Sequence, residues 1–161
     1  MLADARSKDP IARAQASFIE ARKAYAADEV QKPQLAQAIA AVLSTRDPLL
    51  IDTLGLHLIT YRDPAAGRTS FVFDRHYYPL GAPPDVGLAL FLAPCELGLK
   101  CDSTEPHAQL RCASGAGCEG GRYEEAKRML NGQPGQYEKV VALASRIADA
   151  AKTGNAKAFT P

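Results

Sequence analysis

Asp85-Val-Gly-Leu-Ala-Leu-Phe-Leu-Ala-Pro94-Cys95-Glu-Leu-Gly98-Leu-Lys-Cys101 decides the fold of this chain. Val86, Leu88, Leu90, Phe91 and Leu92 make it apolar almost all round, the mark of a helix buried on every side. Pro94 is expected to kink or end that helix. Cys95 and Cys101 then frame a glycine as C-x-x-G-x-x-C, and the same spacing returns at Cys112-Ala-Ser-Gly115-Ala-Gly-Cys118. A glycine three residues after a cysteine is placed to be the left-handed residue that stops a helix. The chain then reverses and returns the second cysteine to the last helical turn. A disulfide needs Cα atoms roughly 4.4–6.8 Å apart, which such a reversal supplies. Cys95–Cys101 and Cys112–Cys118 are the expected disulfides, one of the three pairings that four cysteines allow.

Two rival readings exist, four unpaired thiols and a four-thiolate zinc site. Zinc ligands come in tighter pairs than these gaps of five, ten and five residues. Disulfides would place the protein in an oxidising space, periplasmic or secreted. Residues 1–6 lack the apolar core of a signal peptide, so the chain is expected to be a mature form with Met1 added for expression. A cytosolic protein with reduced cysteines is the alternative.

Helical signals dominate on either side. Asp9-Pro10 reads as a cap and first turn, followed by the stripe Ile11, Ala14, Phe18, Ala21 and Tyr25. Leu35, Ile39, Val42 and Leu43 stripe a second helix from Pro33 to Arg46. Asp47-Pro48 opens a third, with Leu50, Leu54, Leu58 and Tyr61 on one face. Residues 69–80 concentrate aromatic and β-branched side chains, as strands do, and predict a short hairpin turning near Asp74-Arg75. Further helices are expected at Pro106–Cys112, Arg122–Leu130 and Pro134–Lys152, the last closed by Gly154-Asn155. The expected fold is mainly α, a single compact domain over 1–161. It has about six or seven helices and a short β-hairpin near 69–80.

Composition agrees with one globular domain. The 161 residues are 47% apolar and 23% charged, with a net charge of +1. That balance leaves no footprint for nucleic acid or an anionic membrane. Leu88–Ala93 is far too short to span a bilayer. Phosphate-loop, dinucleotide-binding, zinc-protease, nucleophile-elbow and EF-hand motifs are all absent. No catalytic, metal or cofactor residue is therefore assigned.

Several residues still carry chemistry. His57 sits at helical spacing from Leu50 and Leu54 and reads as a partly buried core histidine rather than a ligand. Asp102, Glu105 and His107 offer three ligand atoms within six residues, but acids before Pro106 also suit a helix entry. Glu20, Glu29, Glu96 and Glu119 are the carboxylates from which a glycosidase-type pair would be drawn, at separations a sequence does not show. Phe71, Phe73, Arg75, His76, Tyr77 and Tyr78 form the expected partner-binding surface, since Tyr and Arg are favoured interface anchors.

Leu88-Ala-Leu-Phe-Leu-Ala-Pro-Cys95-Glu-Leu-Gly98-Leu-Lys-Cys101, with Leu110-Arg-Cys112 and Gly117-Cys118, resembles uncharacterised exported helical proteins of proteobacteria that carry a paired cysteine–glycine core. The likeness covers residues 85–155. It implies a periplasmic or secreted, all-helical, disulfide-bonded domain and brings no reaction with it. Gly115-Ala-Gly117-Cys118 is looser and richer in glycine than the first half.

The functional expectation is a non-enzymatic protein-binding domain of the bacterial envelope. An immunity or inhibitor protein that blocks a toxin or hydrolase has these properties. Its partner would be another protein, with no nucleic acid, no membrane span and no cofactor. The alternatives are a small hydrolase using a histidine with a carboxylate, and a secreted effector or adaptor.

Overall fold

The computed structural model describes residues 7–27 and 31–161. Met1 and Glu29 lie outside the described residues. The fold is mainly helical, seven α-helices among the described residues with a small three-stranded antiparallel sheet.

Proline-led caps start the first half. Helix α1 (Pro10–Ala26) begins where Asp9 accepts a hydrogen bond from the Ile11 amide at 2.9 Å. Helix α2 (Lys32–Ser44) packs on it, burying Leu35, Ile39, Val42 and Leu43. Helix α3 (Pro48–Ile59) opens on Asp47, which caps the amides of Leu49 and Leu50. Both Asp-Pro signals thus act as read, because a cap needs only its own next three residues.

Helix α3 stops two residues short of the expected stripe. Tyr61 belongs instead to strand β1 (Thr60–Arg62), which pairs with β2 (Thr69–Phe73), which pairs in turn with β3 (His76–Pro79). The Tyr61 side chain is buried, and its hydroxyl donates to the Phe159 carbonyl at 2.8 Å. A contact across 98 positions sets this boundary, and no local pattern announces it. His57 corrects the core reading: it is exposed, on the outer side of α3.

Helix α4 (Val86–Glu96) is the central helix that its apolar composition calls for, and it packs against α7 (Gln136–Lys152) and α3. Pro94 does not itself end α4; the helix runs two residues further, to Glu96. Gly98, at φ 99°, then closes α4, and the Leu99 amide donates back to the Pro94 carbonyl at 2.9 Å. Helix α5 (Pro106–Ala113) ends in the same way: Gly115 has φ 79°, and Ala116 donates back to the Arg111 carbonyl. Each reversal carries a disulfide, Cys95–Cys101 and Cys112–Cys118, with Cα separations of 5.7 and 4.2 Å. No cysteine is free.

Helix α6 (Arg122–Met129) completes the set, and a 3₁₀ turn (Ala156–Phe159) follows α7. Phe159 is buried edge-on to Phe73, ring centroids 5.7 Å apart, so the C-terminal turn seals the core beneath the sheet.

Candidate functional site

The hairpin β2–β3 turns on Asp74 and Arg75, both in the left-handed region at φ 51° and 63°. Two successive left-handed residues suit the twist of a two-residue hairpin but penalise any side chain other than glycine's. Four contacts hold the turn closed. The Asp74 amide donates to the Ala158 carbonyl at 2.8 Å. Arg146 on α7 donates to the Asp74 carboxylate at 2.9 Å, and its guanidinium lies over the Phe73 ring. The His76 ring meets the Asp74 carbonyl at 2.9 Å.

This frame sorts the six residues expected at a partner surface. Arg75 and His76 are exposed at the tip. Tyr77 and Tyr78 are half-buried, and the Tyr78 ring stands 6.4 Å from that of His76, two residues along the same strand face. Burial holds the Tyr77 phenol above its ordinary range, helped by the nearby Asp63 carboxylate and Tyr25. Phe71 is half-buried, its ring against Gly87 at the start of α4. Phe73 is 2% exposed and is core, not surface. Its alternation is broken because the sheet is capped at that end by the 3₁₀ turn. The exposed surface is therefore Arg75 and His76 flanked by Tyr78 and Leu80, the last 54% exposed.

A second locus lies along α4, where α5 and α6 approach it. Helices α4, α5 and α6 enclose a cleft of about 340 Å³ lined by Asp85, Leu88, Phe91, His107, Glu125 and Met129. The His107 Nε2 stands 3.1 Å from Glu125 Oε2, and the His107 ring is edge-on to Phe91 at 4.9 Å. The expected cluster of Asp102, Glu105 and His107 is separated. Asp102 accepts from the Thr104 hydroxyl and amide, which hold its carboxyl below the usual range. Glu105 is buried and accepts from Arg122 Nε. Among the described residues no group of three acids, histidines or cysteines is placed to hold a metal ion.

Of the glutamates considered as a carboxylate pair, Glu96 accepts from the Tyr123 hydroxyl, Glu20 is exposed on α1, and Glu119 is exposed directly after Cys118. Glu125 and Arg146, which build the two loci, carry no local sequence signal, because each acts on a residue from another element. No helix among the described residues is long and apolar enough to cross a membrane. Set beside protein-family models, curated proteins and solved structures, the chain matches none.

Proposed function

We propose that this chain is a non-enzymatic protein-binding domain of the bacterial envelope, of the immunity or inhibitor kind. It docks on a toxin or hydrolase through the tip of the β2–β3 hairpin. The observation that carries the reading is the clamped turn. The left-handed Asp74–Arg75 turn persists because Arg146 and the Ala158 carbonyl hold Asp74, and such stored strain concentrates at working surfaces. The clamp presents Arg75 and His76 already ordered, which lowers the entropy lost on binding. Two disulfides point to a non-cytoplasmic space, and the resemblance to exported helical proteins favours the periplasm.

The test is capture and reconstitution. Wild-type protein should hold one periplasmic protein in a 1:1 complex that reforms from purified parts. Arg75→Glu with His76→Ala should lose that complex at an unchanged melting temperature. Tyr77 is left intact because it is half-buried. A complex that survives both changes removes the hairpin from the interface.

The His107–Glu125 pair at the α4–α5–α6 cleft favours a second reading, a small hydrolase that activates water. The His107 side chain is 42% exposed, so the pair faces bulk solvent rather than one sequestered water, which ranks it below the first. Ester or glycoside hydrolysis abolished by His107→Ala would reverse that order.

A further inference from the structure

Arg111 is a buried cation with donors to spare. Its side chain is 7% exposed. Nη2 donates to the Glu119 and Gly120 carbonyls at 3.1 and 3.0 Å. Nε faces the Glu125 carboxylate at 3.4 Å, yet neither Nε nor Nη1 has a hydrogen-bond partner among the described residues. Buried donors without acceptors are rare in folded proteins and often mark an ion or water site.

A second guanidinium converges on the same place. A Cβ built on Gly117 would lie 3.6 Å from Arg111 Nη1 and 3.2 Å from Arg128 Nη1. Gly117 has φ 108° and stands inside the Cys112–Cys118 loop, so no side chain of its own fills the place the two guanidinium groups approach. Arg128 also walls an open cleft of about 560 Å³, with Gly120, Lys127 and Asn131. Glu119 and Glu124 share that wall, but the Glu124 carboxylate already accepts from the Gly121 amide at 2.8 Å. The amides of Gly117, Cys118, Glu119 and Gly120 meet no backbone acceptor among the described residues.

We propose that Arg111, Arg128 and the Cys112–Cys118 loop form a binding site for a tetrahedral oxyanion, a phosphate or sulfate group. Glu125 faces Arg111 at Nε, which leaves the Nη1 atoms of Arg111 and Arg128 turned toward one point, where like charges repel unless an anion lies between them. Guanidinium forks and loop amides match oxyanion geometry. Donors arriving from two helices and a loop call for more acceptor oxygens than the two of a carboxylate. Arg111 is the fixed half of the site, held by its carbonyl contacts. Arg128, exposed, is the half that closes over the anion. The disulfide fixes the loop that both arginines face.

The test is titration of isotope-labelled protein with inorganic phosphate and with sulfate at low ionic strength, against chloride at matched ionic strength. Saturable shifts of the 117–121 amides and of the Arg111 Nε–H signal are expected. Arg128→Ala should weaken binding by about tenfold or more, the loss of one charge-assisted contact. Lys139→Ala, an exposed cation on α7, should leave it unchanged. A simple alkyl phosphate that binds more tightly than free phosphate identifies a group carried on a larger molecule, and equal or weaker binding identifies the free anion. Shifts no larger than with chloride overturn the site, and so does an Arg128→Ala variant that binds as the wild type.

Discussion

Arg122 grips Asp52 end-on, both terminal nitrogens of the guanidinium donating to both carboxylate oxygens, although 70 positions separate them. The same side chain donates through Nε to Glu105 and through Nη1 to the Phe91 carbonyl, and lies over the Phe91 ring. One buried arginine thereby ties α3, α4, the entry to α5 and the start of α6. Burial by itself would lower the Arg122 pKa; the Asp52 and Glu105 carboxylates outweigh it and hold the group above its ordinary value.

Removing that arginine strands the buried carboxylate of Glu105. Arg122→Ala should cost about 3–5 kcal/mol, the range for breaking a buried ion pair from one side. Asp52→Asn, at the more exposed end, should cost less. Urea unfolding midpoints decide it, and a variant within error of wild type would make the network dispensable.

Stability should fall at alkaline pH through two tyrosines. Burial raises the Tyr61 phenol above its ordinary value, and burial with the Glu96 hydrogen bond raises Tyr123. A folded-state pKa above the unfolded value gives stability that is complete below about pH 10 and is lost as pH rises through the folded pKa. Unfolding free energies measured from neutral to alkaline pH should decline, and Tyr61→Phe with Tyr123→Phe should flatten the decline. An unchanged slope would mean that neither phenol is linked to folding. No free thiol is present to confuse the measurement by exchange.

Each disulfide closes a short loop and should contribute about 2 kcal/mol. The two are not equivalent. The Cys101 carbonyl accepts from the Arg122 amide, and a Cβ on Gly121 would lie only 1.8 Å from it. Loss of Cys95–Cys101 therefore loosens the seat of the Arg122 network, and Cys95→Ala/Cys101→Ala should melt lower than Cys112→Ala/Cys118→Ala. The reverse order would show that the second loop bears more of the fold.

Arg75→Gly separates stability from binding. Glycine at φ 63° relieves a left-handed penalty of about 1 kcal/mol, partly offset by the freer unfolded chain. The variant should melt at or above the wild-type temperature while losing partner capture. Lower stability would mean that the Arg75 side chain supports the hairpin itself.

The hairpin is only partly legible in its own residues. Its aromatic and β-branched run marked the strands, and Asp74-Arg75 marked the turn. That pair is a poor choice for a primed turn by local chemistry. Arg146 and the Ala158 carbonyl make it workable, from 72 and 84 positions away. Phe71 and Phe73 read alike in sequence, yet one packs at Gly87 half-exposed and the other is sealed under Phe159.

The sequence by itself determined what rests on near neighbours. Asp9-Pro10 and Asp47-Pro48 start helices because a cap acts on the next two or three amides. Gly98 and Gly115 stop helices because only glycine takes those dihedrals freely. That reversal made the pairing of cysteines six positions apart the expected one of three, and the structure pairs them so. Tertiary structure alone decided the third strand at Thr60–Arg62, the exposure of His57, the His107–Glu125 pair and the Asp52–Arg122–Glu105 network. Each of these joins groups from separate elements, and the free energy that places them comes from desolvation and pairing that exist only once the helices have packed.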